Sequence, residues 1–146
     1  MKVLMLMLVL ITTGCTTAQA EDQREASQMD KLVDALILQE SSGNDYAIGD
    51  KKYSSERRAY GCLQIRKTCI DDVNRRYGTT LKAEDCLGNR ELSKKVCRAY
   101  INMYATQTKL GHKPTLQDMA RIWNGGPNGW KRKATLKYWS QVQARL

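Results

Sequence analysis

The stretch that most constrains this chain is Met29 to Gly43, MDKLVDALILQESSG, because it has one face to bury and one to leave in water. Met29, Leu32, Val33, Leu36 and Ile37 fall at the i, i+3, i+4, i+7 spacing of an amphipathic helix. Glu40 continues the same stripe beyond Leu36. A carboxylate on the buried side loses hydration and lies beside the negative end of the helix dipole, and both effects favour its protonated form. Such a carboxyl can donate a proton near neutral pH. The plainer reading is a helix that frays by Gln39 and leaves Glu40 in water, so the choice rests on what the rest of the chain brings to it.

Residues 1–20 read as a signal peptide. Lys2 supplies a positive start, and the apolar run Val3–Ile11 is too short to span a bilayer. Two processing readings stand. Ala18-Gln19-Ala20 is a good A-x-A site that would release a chain starting at Glu21. Thr12-Thr13-Gly14-Cys15 resembles a degenerate lipobox, in which Cys15 would carry lipid and give the protein its one membrane attachment. Both readings imply export, to the periplasm or beyond. Cys62, Cys69, Cys86 and Cys97 then remain as an even set, the pattern of two disulfides with connectivity open. A zinc site is the weaker alternative, since no Cys-x-x-Cys pair exists and His112 is the only histidine. No metal or organic cofactor is expected.

The chain has 24 Lys and Arg against 15 Asp and Glu, a formal net charge of +9, of which cleavage at Ala20 would remove only Lys2. An exported basic protein meets anionic cell wall before it meets nucleic acid. No phosphate-binding loop or basic motif interleaved with aromatics supports a nucleic-acid partner. A monomer is expected.

Residues 21–27 are polar without periodicity and read as a tether, leaving 28–146 as one domain. Gly43, Asn44, Asp45, Gly49, Asp50 and Gly61 punctuate the stretch 44–65, which reads as loops and a small β-hairpin. Helices are predicted over Thr68–Tyr77, stopped by Gly78; Asn89–Tyr104; Thr115–Asn124, with Asp118 closing a capping box; and Thr135–Leu146, with Leu136, Trp139 and Val142 inward. The fold class is α+β, mainly α, with the β segment packed against a helical lobe and a cleft between the two. Asp50 sits in that segment. Two carboxylates across a cleft suit glycosidic cleavage: one protonates the leaving oxygen, the other stabilises the oxocarbenium-like centre or activates water. Read by spacing alone, Asp50 is better taken as a turn residue in Gly-Asp-Lys-Lys.

Three blocks together resemble the lysozyme superfamily, most closely invertebrate-type lysozymes and their small bacterial relatives, more distantly soluble lytic transglycosylases. They are Gln39-Glu40-Ser41-Ser42-Gly43-Asn44, Tyr60-Gly61-Cys62-Leu63-Gln64-Ile65, and Ala120-Arg121-Ile122-Trp123-Asn124-Gly125-Gly126-Pro127-Asn128-Gly129 with Tyr138 and Trp139 beyond. The resemblance implies a lysozyme-like fold that cleaves the β-1,4 bond between N-acetylmuramic acid and N-acetylglucosamine in peptidoglycan. It implies Glu40 as general acid, Asp50 as second carboxylate, and Ser41, Tyr60, Gln64, Asn124 and Gly125 as substrate-binding. A transglycosylase forming 1,6-anhydro ends, or an inactive wall-binding protein, are the alternatives. Trp123 stands where those families often carry His, and the interval from Glu40 to Asp50 is somewhat shorter than theirs.

Overall fold

The computed structural model describes residues 14–146, with side chains from residue 17. The apolar run at Val3–Ile11 and the first half of the lipobox, Thr12 and Thr13, lie outside the described residues. Among the described residues no helix is long and apolar enough to cross a membrane.

Helix α1 spans Gly14–Ser41, so it starts well upstream of Met29 and the expected tether is helical. Residues 21–27 are all exposed, which is why they carry no apolar period. Lys113 ties this outer part down through Glu21 (2.9 Å) and Glu25 (2.7 Å). From Leu32 onward α1 is a core helix: Leu32, Val33, Ala35, Leu36 and Ile37 are essentially inaccessible. It ends in a left-handed turn at Ser42 and Gly43, with the Gly43 N–H donating to the Ile37 carbonyl.

The β segment is a three-stranded antiparallel sheet, larger than the expected hairpin: β1 (Ile48–Gly49), β2 (Ala59–Tyr60) and β3 (Ile65–Arg66), paired in that order. Arginines hold the loop between β1 and β2. Arg58 donates to the carbonyls of Tyr53 and Lys51, and Arg66 to that of Arg57.

The helical lobe comprises α2 (Lys67–Tyr77), α3 (Arg90–Tyr104), the short α4 (Gln107–Leu110), α5 (Leu116–Gly125) and α6 (Thr135–Gln143). Helix α2 begins one residue before the predicted start and without a side-chain cap; Ile70 and Val73 take its buried face and Tyr77 is half exposed. Gly78 stops it in the left-handed conformation. Thr115 and Asp118 form the expected capping box on α5, and Asp118 also bonds His112 at 2.9 Å, which commits the lone histidine. On α6 the buried residues are Thr135, Tyr138 and Val142, one position out of phase with the expected Leu136 and Trp139.

Cys62, Cys69, Cys86 and Cys97 are thiols, so the two expected disulfides are not formed in this structure. Cys69 lies in the wall of the cleft between the sheet and the helical lobe, Cys62, Cys86 and Cys97 are buried, and the Cys62 and Cys86 thiols share the Ser93 hydroxyl as a neighbour.

Candidate active site

The last turn of α1 brings Glu40 to the junction of the sheet and the helical lobe, where a cleft of about 370 Å³ opens. Glu40, Gln64, Arg66, Tyr100, Trp123 and Asn124 are among its lining. Each element delivers one wall. The turn before β3 presents Gln64, β3 presents Arg66, α3 presents Tyr100, and the end of α5 presents Trp123 and Asn124.

Burial pushes the Glu40 carboxyl above the usual glutamate range. Hydrogen bonds from the Tyr138 hydroxyl and the Trp123 indole N–H, and the charge of Arg66, pull the other way without cancelling it. The Tyr138 hydroxyl donates to Glu40 Oε1 at 2.6 Å. Trp123 meets Tyr100 edge to face, with ring centroids 5.9 Å apart, so the indole is fixed by an aromatic neighbour as well as by the carboxyl.

Asp50 forms an ion pair with Arg66. Arg66 lines the cleft and acts on the charge of Glu40, so one guanidinium links the two carboxylates that the sequence singled out. Ser42, Asp50 and Gln64 are the non-glycine residues with positive φ among the described residues, at 55°, 54° and 50°. Each such conformation costs free energy, and all three border this junction. The Gln64 amide is largely committed: its Nε2 donates to the carbonyls of Gly61 (3.0 Å) and Ala47 (3.3 Å), which holds the approach to Asp50 against the turn before β3.

Three expected substrate-binding residues lie elsewhere. Ser41 gives its hydroxyl to the Cys62 carbonyl at 2.8 Å, tying the end of α1 to the β segment. Tyr60 is buried and bonds the Ser55 carbonyl, anchoring the sheet. Gly125 is closed off by Thr135, whose methyl would lie 2.6 Å from a Cβ at that position, so Gly126 is the glycine that faces the cleft. Trp130 packs against His112 and away from the cleft lining. Tyr138, Arg66 and Tyr100 join the site unannounced by the local sequence. Only the run Tyr138-Trp139 hinted at the first.

A larger hollow, about 620 Å³, lies between the outer part of α1 and the helical lobe. Its carboxylates are neutralised by cations, Glu25 by Lys113 and Asp30 by Arg98, so it offers no free acid.

A basic chain with one half-buried, donor-held carboxyl in a cleft between a small sheet and a helical lobe is the arrangement of the lysozyme superfamily, invertebrate type. Comparison with known proteins agrees. The Destabilase family matches residues 36–145, and the chain belongs to that family. A lysozyme from the oyster Ostrea edulis is 28% identical over 97% of this chain and 92% of its own length. One from Magallana gigas is 33% identical over 58% of this chain and 59% of its own. In fold, the crystal structure of Tapes japonica lysozyme is similar with a TM-score of 0.62 at 24% identity, over 77% of this chain and 86% of that one. A crystal structure of Aeromonas hydrophila PliI in complex with Meretrix lusoria lysozyme gives 0.63 at 22% identity, over 78% and 87%.

Proposed function

We propose that this lysozyme-type glycosidase is an exported muramidase that cleaves the β-1,4 bond between N-acetylmuramic acid and N-acetylglucosamine in peptidoglycan. The observation that carries this reading is Glu40: a carboxyl in the wall of the cleft, kept toward its protonated form by burial and held by two hydrogen-bond donors. It donates its proton to the glycosidic oxygen as the bond breaks. Asn124, exposed at the end of α5, offers donor and acceptor to a sugar hydroxyl or acetamido group.

Asp50 is the second carboxylate. Its ion pair with Arg66, which lines the cleft, favours hydrolysis over the transglycosylase route, because a carboxylate oriented by a cleft residue can support the attack of water. Attack by the sugar's own 6-hydroxyl makes no use of it. Digestion of purified wall, with mass analysis of the released muropeptides, is expected to yield reducing ends. Asp50→Asn is expected to lose activity by about 10²-fold or more at similar KM. Products ending in 1,6-anhydromuramic acid would assign the transglycosylase route instead. Products identical to those left by Glu40→Gln would make the chain a wall-binding protein without turnover.

The signal-like residues 1–20 and the net charge of +9 support an exported protein facing an anionic wall. In that setting Cys62 pairs with Cys86, the two thiols that share Ser93, leaving Cys69 to pair with Cys97. Peptide mapping of the exported protein without reductant is expected to recover those two crosslinked peptides. A Cys62–Cys97 or Cys62–Cys69 peptide would exclude this pairing.

A further inference from the structure

Both groups bonded to the Glu40 carboxyl are donors. The Trp123 indole has an N–H and no acceptor. The Tyr138 phenol could in principle do either, but its surroundings leave it one role. Its ring is buried on α6, it does not line the cleft, and it meets Glu40 Oε1 at 2.6 Å across 98 residues of sequence. Burial, and then the neighbouring charge of Glu40, keep this phenol protonated far above its ordinary range, and Glu40 Oε1 is the acceptor that its O–H meets.

A neutral carboxyl has one proton to place on one of two oxygens. Placing it on Oε1 would set an O–H against the Tyr138 O–H and leave one of the two buried without an acceptor. Placing it on Oε2 satisfies the phenol and leaves the acid proton on the oxygen that Tyr138 does not occupy. The geometry points to Tyr138 as a positioning residue for Glu40: it reserves Oε1, fixes the carboxyl rotamer, and so directs the acidic proton from Oε2 to the scissile oxygen. This rests on the glycosidase reading of Glu40 and adds to it which oxygen carries the proton and what holds it there. Trp123 adjoins the same carboxyl from the cleft wall. Because an indole does not titrate, it does so without the second protonation state that histidine would bring to that position.

Tyr138→Phe tests this, since it keeps the ring and removes the donor. Turnover on wall or on a neutral chitooligosaccharide is expected to fall about tenfold in kcat with little change in KM, the loss of one well-placed hydrogen bond in the transition state. The same bond favours ionised Glu40, so its loss raises the Glu40 pKa and moves the alkaline limb of the activity profile to higher pH. Carboxyl ¹³C titration of Glu40, parent against Tyr138→Phe, reads that rise without substrate. Trp139→Phe on the same helix controls for a general disturbance of α6 and is expected to leave limb and titration in place. An active parent whose limb and Glu40 titration are the same in Tyr138→Phe would overturn the assignment of Tyr138 alone, as would equal movement in Trp139→Phe. Equal turnover by the parent and Glu40→Gln would instead overturn the glycosidase reading, and the catalytic use of Tyr138 with it.

Discussion

Glu40→Gln is expected to lower glycan cleavage by about 10²- to 10⁴-fold, the contribution of a positioned general acid, while the protein stays folded. Gln is close to isosteric with the acid and its carbonyl oxygen still accepts from Tyr138, so the cleft keeps its shape. What disappears is the transferable proton. The substitution has a second, independent signature in stability. Burial raises the Glu40 pKa above its ordinary 4.5, so the folded state binds that proton more tightly than the unfolded chain does. The stability this contributes is complete below the ordinary value and is lost as pH rises through the raised folded value. Gln does not titrate and loses nothing over that window. Melting temperatures of the parent and Glu40→Gln, compared at about pH 4 and pH 7, should therefore diverge in favour of the variant as pH increases. A difference that stays constant across that range would mean that Glu40 is not held toward its protonated form. Turbidity clearance of purified wall by both proteins, at the same two pH values, supplies the activity half of the comparison.

Glu40 was legible because helix periodicity is a local signal. A stripe repeating every three to four residues from Met29 predicts which side of α1 is buried, and Glu40 lies on it. The capping box of Thr115 and Asp118 and the stop at Gly78 were legible for the same reason, since caps are set by neighbouring side chains. The contacts that finish the site are of another kind. Tyr138 reaches Glu40 only because α6 packs against α1, and no pattern around residue 138 encodes that. Arg66 reads in sequence as one more surface cation beside Lys67, and becomes a cleft residue through the pairing of β3 with β2.

The misplacements have physical reasons too. On α6 the apolar stripe Leu136, Trp139, Val142 and the occupied stripe Thr135, Tyr138, Val142 share an end and differ by one residue. The polar stripe is buried because Thr135 satisfies its hydroxyl, accepting from Arg121 Nε at 2.9 Å and donating its one proton to the Gly129 carbonyl at 2.8 Å. Leu136 is left 45% exposed. Residues 21–27 are helical while exposed all round, a state that rests on helix-forming Ala, Glu, Gln and Arg and on the ties to Lys113 rather than on burial. Ser41 and Tyr60 stand in blocks that resemble a cleft lining, yet their hydroxyls satisfy backbone carbonyls and hold the β segment to the helices.

Gly129→Ala is expected to destabilise the fold by about 3 kcal/mol or more, a fall of about 10 °C in melting temperature, although the change adds a single methyl group. A Cβ at position 129 would lie 1.9 Å from the carbonyl oxygen of Arg121, 2.8 Å from its carbonyl carbon and 3.2 Å from Ile122 Cα. All three are main-chain atoms of α5, so no side chain can swing aside to make room. Either α5 shifts or the turn beyond it lifts. That turn is held from several sides: Gly129 N–H donates to the Gly126 carbonyl at 2.7 Å, Thr135 donates to the Gly129 carbonyl, and Arg121 donates to the Arg132 carbonyl at 3.1 Å. Lifting it strips partners from Arg121 and Thr135, both buried, and disturbs Asn124 and Gly126 at the edge of the cleft. Gly78→Ala is the matched control. Gly78 has φ of 66° but no atom within 4 Å of where a Cβ would stand, so Ala there meets only the left-handed backbone penalty of about 1–2 kcal/mol. Urea unfolding of both variants separates a backbone clash from a conformational preference, and comparable losses in the two would mean that the turn after α5 yields more easily than its hydrogen bonds imply. If Gly129→Ala falls well below Gly78→Ala, the close approach of two main chains at residue 129 is what holds the turn that follows Asn124 and Gly126 in the cleft lining.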